Sequence, residues 1–303
     1  MNLKKSSLPL ALAVFSVLAI AFTVGCAKNS NPKPPIHDTI TIKKTDTLTK
    51  TDTLIITTPD SSVNLTKGLL VYLPFAGNIA DSSGNNNPTQ SSGGTVLTTD
   101  RNGYSNNAFG TTGHGEEVFV TNNGSIKFDT AYTLSFSFLL NSYGSQTFVS
   151  FVNPTTGNGP SFNVGMGTTI LGGQYLDLGL SNITAGCDNS GAWDPNKILD
   201  TTTVIPALNT WYNAIYAYHK GTIRVYVNGA LVSTKQSAGP TAQLCPSSQL
   251  IVGAWWNSDK QGINGKLDNV RLYNRTLTAK EITTLSQSYL VVGTSVRPGV
   301  RTN

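Results

Sequence analysis

The chain has 303 residues, of which 12% are charged and 39% hydrophobic, and its formal net charge is +5. Its abundant Gly, Ser, Thr and Asn favour a β-protein with many turns over a helical bundle. Its lysines and arginines are scattered, whereas a nucleic-acid-binding surface needs clustered positive charge, so we exclude nucleic acid as a partner.

The first 25 residues have the pattern of an export signal. Two lysines precede an apolar segment over residues 8–24, which ends just before Cys26. This predicts a signal peptide over 1–25. A transmembrane anchor is disfavoured, because the segment is short for a bilayer and contains Pro9. The end of the segment, Thr-Val-Gly-Cys, resembles the bacterial lipobox, which implies cleavage before Cys26 and lipidation of its thiol. We therefore expect an exported protein, lipid-anchored in the outer membrane and facing either the periplasm or the cell exterior.

Residues 26–64 predict a flexible stalk. They are rich in Thr and contain no aromatic residue, so they cannot bury enough surface to offset the entropy of ordering. Three Asp-Thr-aliphatic triplets in this segment resemble the sequon that some Bacteroidetes O-glycosylate. The resemblance implies glycans at Thr39, Thr47 and Thr53.

Residues 65–288 predict an all-β domain, and residues 289–303 a C-terminal tail. Residues 134–140 alternate apolar and polar side chains, which indicates a strand with one buried face. Residues 223–227 alternate in the same way, and the Asn228-Gly229 pair that follows is a strong hairpin signal.

Two more strands are predicted near the end of the domain, over residues 250–256 and 266–273. On the first of these, Trp255 and Trp256 are neighbours, so their side chains should face opposite ways. Trp211, at the start of an earlier strand, is expected in the core.

One short helix is predicted after the last strand. Thr278 and Glu281 have the spacing of a capping box, and Leu277 and Ile282 stand at the staple positions around it.

Three segments, in this order along the chain, resemble laminin-G-like (concanavalin A-like) jelly-roll domains. They are Gly68–Gly84, Trp211–Gly229 and Gly265–Ile282. The resemblance implies a two-sheet antiparallel jelly-roll sandwich closed by one short C-terminal helix. Asn213 and Asn269 depart from the His and the Asp that are common in the family.

The resemblance also implies that Asp268, on the closing strand, lies beside the opening loop of residues 77–87. Calcium binds carboxylate, amide and backbone oxygens, so we predict a structural Ca²⁺ ion held by Asp81, Asp268, Asn78 and Gly84. The alternative is that Asp81 only makes an Asx-turn and that Asp268 caps a strand end.

Glycoside hydrolases share this fold class and need a pair of carboxylates, usually arranged as Glu-x-Asp-x-x-Glu. The glutamates of this chain are Glu116, Glu117 and Glu281, and none belongs to such a motif. The three histidines have no metal-binding spacing. We therefore predict that the protein is not an enzyme.

Two cysteines remain once Cys26 is assigned to the lipid, and an even remainder in an exported protein predicts one disulfide, Cys187–Cys245. The alternative is two unrelated thiols.

Trp193 lies in a loop with acids and amides close to Cys187, a mixture that suits a carbohydrate site.

We interpret the chain as a monomeric, membrane-anchored binding or adhesion module for a glycan or an envelope protein. Its predicted ligand-binding residues are Trp193, Trp255 and Trp256. The alternatives are a structural cell-surface component that binds no small ligand and, less favoured, a glycoside hydrolase.

Overall fold

The computed structural model describes residues 63–94, 96–157, 161–167, 175–180, 187, 199–236, 244–256 and 261–287. All of them belong to one of the two units into which the chain divides, Asp60–Asn303. The predicted signal peptide, the lipidation site and residues 26–62 of the predicted stalk lie outside the described residues.

The described residues form two β-sheets and one helix. Sheet A contains β1 (Leu69–Leu73), β3 (Val96–Thr98), β4 (Ala108–Thr112), β6 (Ala131–Leu140), β11 (Trp211–His219), β12 (Thr222–Val227), β13 (Ala230–Gln236) and β15 (Asn264–Tyr273). Sheet B contains β2 (Thr89–Ser92), β5 (Glu117–Val120), β7 (Gln146–Val152), β8 (Phe162–Met166), β9 (Leu176–Leu180), β10 (Leu199–Thr201) and β14 (Gln249–Val252). The helix α1 spans Ala279–Gln287.

Each sheet is antiparallel along its ladders. Sheet A has the order β13-β12-β11-β6-β15-β4-β3, with β1 also paired to β15, and sheet B has the order β10-β9-β8-β7-β14-β5-β2. Strands that are distant in sequence are therefore neighbours in space, as in a jelly roll. The predicted all-β, two-sheet jelly-roll sandwich with one short C-terminal helix is confirmed.

The core between the sheets is built from the inward-facing side chains of these strands. Phe136 and Phe138 of β6 meet Phe148 of β7, with ring centroids 5.9 and 4.9 Å apart. Burying each such side chain stabilises the fold by about 1.5–3 kcal/mol. Trp211 was expected here but is only half-buried, and the next residue, Tyr212, packs against the core instead.

The outer face of sheet A is also covered, so the expectation that β6 has one buried face is wrong. Ser135 and Ser137, on the outer face of β6, are both buried. Arg101, from the β3–β4 loop, donates a hydrogen bond to Ser137 (Nη1–Oγ 2.6 Å). The alternating pattern identified the strand correctly, but it carried no information about elements that pack on its polar face.

Helix α1 packs on the outer face of sheet A. Its Ile282 and Leu285 form a second apolar cluster with Ile215 and Tyr273 of the sheet. Asn213, which replaces the family's usual His, accepts a hydrogen bond from Ser286 of the helix (Oγ–Oδ1 3.1 Å). The predicted capping box is confirmed, since Thr278 and Glu281 exchange reciprocal backbone–side-chain hydrogen bonds.

Candidate functional site

The opening loop gives the Asp81 carboxylate five hydrogen-bond donors. Its Oδ1 accepts from the N–H groups of Tyr72 and Ser83, and its Oδ2 accepts from the Ser83 hydroxyl and from the Asn87 backbone and side-chain amides, all at 2.8–3.1 Å. Burial raises the pKa of Asp81, but these donors outweigh burial and lower the pKa below its usual range. The hydrogen bond from the Ser83 N–H to the Asp81 side chain, two residues earlier, is the bond that defines an Asx-turn, which was the alternative to calcium binding.

Asp268 lies on β15 in a separate polar cluster. Its carboxylate accepts from the Asn269 side chain (2.9 Å) and lies 3.8 Å from the Arg101 guanidinium. Burial raises the pKa of Asp268 to about 6. Tyr72 links this cluster to the opening loop, because its N–H donates to Asp81 while its hydroxyl donates to Asn269.

A calcium ion at Asp81 would require the hydrogen-bond donors around this carboxylate to move. A carboxylate offers about four lone-pair positions, and a cation would have to displace some of the five N–H and O–H groups that now point at this one. Asn78 likewise uses its side-chain oxygen to accept from the Ala80 N–H (2.8 Å). Among the described residues, no group of three or more His, Cys, Asp or Glu side chains is placed to hold a metal. Calcium at this loop stays a prediction.

Trp255 and Trp256 follow β14 of sheet B, and their geometry differs from the prediction. Strand β14 ends at Val252, and Gly253 turns the chain with φ +100°, a conformation that disfavours any side chain. The tryptophans therefore follow a turn and do not alternate across a strand. Their ring centroids are 6.5 Å apart with an interplanar angle of 38°.

The two rings have different environments. Trp255 is half-buried and packs on an apolar cluster formed by Phe119, Val152, Ile251 and Ala254 on the outer face of sheet B. Trp256 is 36% exposed. Its ring lies against the backbone of Gly157, where an added Cβ would stand 2.6 Å from the ring. The Trp256 ring thus contacts the Gly157 backbone and also packs beside the Trp255 ring.

The loop that carries these rings is fastened to the sheet beneath it. The Ser150 hydroxyl donates to the carbonyl oxygens of Trp255 (2.6 Å) and Ala254 (3.2 Å). The base of the loop is closed by bonds from Gly253 N–H to Phe148 O and from Ile263 N–H to Gly253 O. An exposed ring on a fixed backbone has already lost the freedom that binding would otherwise remove.

Asn163 adds a polar group next to this loop. It is the direct cross-strand partner of Ser150, so the two side chains share the outer face of sheet B. Within the described part of the chain its buried Oδ1 has no hydrogen-bond partner, and such groups are uncommon in folded proteins. Sequence reasoning missed Ser150, Asn163 and Gly157, because their role depends on pairing between strands and loops that no local pattern reveals.

The predicted disulfide between Cys187 and Cys245 is confirmed. It joins two positions 58 residues apart in the sequence. Trp193, the other predicted ligand-binding residue, lies outside the described residues, as do Cys26 and the threonines Thr39, Thr47 and Thr53.

Glu281 and Glu116 have local structural partners. Glu281 accepts hydrogen bonds from the Arg275 guanidinium at 2.8 Å through both of its oxygens. Glu116 accepts from the Thr112 hydroxyl (2.5 Å) and from the His114 N–H (3.1 Å). Glu117 is buried on β5.

In the part of the chain that the structure describes, no helix is both long and apolar enough to cross a membrane.

A protein-family model described as the concanavalin A-like lectin/glucanases superfamily matches residues 109–283. No curated protein matches the chain in sequence.

Solved structures share the fold at low sequence identity. Domain 4 of AbnA, a GH43 extracellular arabinanase from Geobacillus stearothermophilus in complex with arabinotriose, is 16% identical, with a TM-score of 0.54 over 72% of this chain and 98% of that one. The binding domain of Paraclostridial Mosquitocidal Protein 1 is 18% identical, with a TM-score of 0.56 over 75% and 54%. The ligand binding domain of Botulinum neurotoxin serotype D, in complex with N-acetylneuraminic acid, is 14% identical, with a TM-score of 0.54 over 76% and 53%. The chain spans about half the length of the two toxin structures.

Proposed function

Because this chain belongs to the concanavalin A-like lectin/glucanases superfamily, we propose that it is a non-enzymatic binding module that recognises glycans with the outer face of sheet B. The observation that carries the proposal is Trp256, an exposed ring that lies against the Gly157 backbone. Aromatic rings present a large, rigid apolar surface at low entropic cost, which suits the apolar face of a sugar ring.

The environment of the ring supports a polar ligand with an apolar face. The Trp255 ring lies beside the Trp256 ring and enlarges the aromatic surface. The turn at Asn153–Gly157 contributes amide and hydroxyl groups and contains no charged residue. Ligand sites commonly combine an apolar wall with a few placed polar groups. AbnA domain 4 and the serotype D toxin domain, which share this fold, are described in complex with saccharides.

The bonding of two of the three glutamates supports the non-enzymatic part of the proposal. Glycosidic hydrolysis needs two carboxylates on either side of the bond, whereas Glu281 is bound to Arg275 and caps a helix, and Glu116 is bound to its own turn. A module of this kind would act by holding the protein at a glycan.

We further propose that Cys26 carries a lipid, that residues 26–64 act as a spacer, and that the module is displayed at the outer membrane.

The proposal is tested by binding of the full chain, purified in detergent, to a glycan array, with Trp256→Ala as the central variant. We expect at least ~10-fold weaker binding, equivalent to about 1.4 kcal/mol, with little change in melting temperature, because the ring buries little core surface. Tyr104→Ala is the matched control, since Tyr104 is 39% exposed on the unrelated β3–β4 loop.

Trp255→Ala tests whether Trp255 stabilises the fold beneath Trp256 instead of contacting the glycan directly. Removing a ring that packs on Phe119 and Ile251 should lower the stability by about 3 kcal/mol. If Trp256→Ala binds every glycan as the wild type does, the site is wrong. If the wild type binds no glycan, the proposal of glycan recognition is wrong.

A further inference from the structure

One end of the sandwich presents three large apolar side chains to solvent. Tyr143 is 37% exposed in the β6–β7 turn, Tyr175 is 37% exposed just before β9, and Ile205 is 47% exposed in the β10–β11 loop. The three positions are far apart in sequence, so the tertiary structure alone brings them together.

Hydrogen bonds join the three segments at this end. The Tyr143 hydroxyl donates to the carbonyl oxygen of Pro206 (3.1 Å), next to Ile205. Leu176 N–H, next to Tyr175, donates to the carbonyl oxygen of Val204 (3.3 Å), on the other side of Ile205. The residues on either side of Ile205 are therefore bonded to Tyr143 and to the neighbour of Tyr175, and we call the three side chains the rim patch.

The rim patch stands on fixed backbone. Val204 and Leu208, which flank Ile205 in the same loop, pack against the core between the sheets. Asn209 N–H donates to the carbonyl oxygen of Leu140 at the end of β6 (2.7 Å). Because its neighbours are anchored inward, Ile205 is held outward, and the Tyr143 ring is fixed by its own hydroxyl. Exposed apolar side chains that are grouped and rigid are typical of binding surfaces.

The two loops that carry Tyr143 and Ile205 contain no charged residue, and the charged residue nearest to Tyr175 on β9 is the acidic Asp177. Residues 141–145 and 202–210 contain no Asp, Glu, Lys, Arg or His, and most of their side chains are amides, hydroxyls or small apolar groups. An anionic ligand would lose hydration here without gaining a cationic partner, which is costly. Neutral hydroxyl groups, by contrast, find amide and hydroxyl partners beside aromatic faces.

We propose that the rim patch is a second binding site, specific for neutral saccharides. It is distinct from the Trp256 site, since Tyr143 lies before β7 and Gly157, which supports Trp256, lies after it. Strand β7 has seven residues, which separates its two ends by ~20 Å at about 3.3 Å per residue. Two sites on one module raise the apparent affinity for a polymeric glycan that reaches both.

The experiment places the full chain in detergent on an array of neutral glycans that includes arabinotriose, with N-acetylneuraminic acid as the anionic comparison. The strongest neutral glycan is then titrated by calorimetry into the wild type, Trp256→Ala and Tyr175→Ala. We expect two equivalents bound by the wild type and one by each variant. Trp256→Ala/Tyr175→Ala should bind at least ~10-fold more weakly than either single variant, and Tyr104→Ala should match the wild type.

The variants distinguish an error in the rim-patch proposal from an error in the Trp256 proposal. If Trp256→Ala alone abolishes binding and Tyr175→Ala has no effect, the rim patch is not a glycan site, while the proposed function stands. If Tyr175→Ala alone abolishes binding, the rim patch is confirmed and the Trp256 site is wrong. Equal binding of N-acetylneuraminic acid at the rim patch would overturn its specificity for neutral sugars. Concentration-dependent dimerisation that Tyr175→Ala removes would instead assign the patch to a second copy of the chain.

Discussion

Replacing Glu281 by Gln should cost about 2 kcal/mol of unfolding free energy at pH 7. The Glu281 carboxylate is almost fully buried and is held by both terminal nitrogens of Arg275, by Thr278 N–H at 2.8 Å and by Asn64 N–H at 3.3 Å. Hydrogen bonds from the Arg275 guanidinium are the main reason that the pKa of Glu281 falls to about 2, with burial acting against them. The fall from the usual 4.5, at about 1.36 kcal/mol per pH unit, corresponds to ~3 kcal/mol between the charged and the neutral carboxyl. Arg275 is a fifth exposed, so solvent screening makes the expected loss smaller than that figure.

The difference in unfolding free energy between the wild type and Glu281→Gln should depend on pH. A carboxylate with a pKa lowered by folding contributes stability that is complete above pH 4.5 and is lost as the pH falls towards about 2. Urea unfolding of the wild type and Glu281→Gln, followed by tryptophan fluorescence from pH 7 to pH 2, should therefore show two curves that converge at low pH. Asp129→Asn, at an exposed carboxylate, is the control and should change stability by less than ~0.5 kcal/mol. A loss for Glu281→Gln that stays constant down to pH 2 would refute the electrostatic explanation.

Four further outcomes are expected. Cys26→Ala should leave the protein uncleaved or release it from the membrane fraction, and a cleaved N-terminus with membrane retention after alkaline washing would contradict lipidation. Reducing Cys187–Cys245, whose positions are 58 residues apart, should lower the melting temperature by removing ~4 kcal/mol on the chain-entropy model, without unfolding the domain, and equal melting curves would show that the bond adds no stability. Calcium bound at Asp81 should raise the melting temperature with the logarithm of its concentration, whereas identical curves in calcium and in chelator leave only the Asx-turn. Glycans on the three stalk threonines should raise the intact mass above that of polypeptide plus lipid, and an intact mass equal to that sum would rule them out.

Local patterns in the sequence were enough to predict several elements of this protein. Asn228 and Gly229 have φ of +50° and +82° in the hairpin between β12 and β13, because these two residue types tolerate the left-handed conformation that the tight turn requires. The cap of α1 was predicted equally well, since Thr278 and Glu281 satisfy each other's backbone groups within one turn. In each case the interacting groups lie within a few residues of one another.

The candidate binding surfaces depended on contacts that the sequence does not display. Residues 250–256 have the apolar character of a strand, yet the Gly253 backbone folds the tryptophans back over Ser150, about a hundred residues earlier in the chain. Similarly, no local pattern pairs Tyr143 with Pro206, or Asn64 with Glu281. Periodicity reports which face of an element is apolar, whereas exposure depends on what the rest of the chain packs against that face. The sequence by itself thus determined the strands, the hairpin and the helix cap, and only the tertiary structure decided which aromatic rings remain open to a ligand.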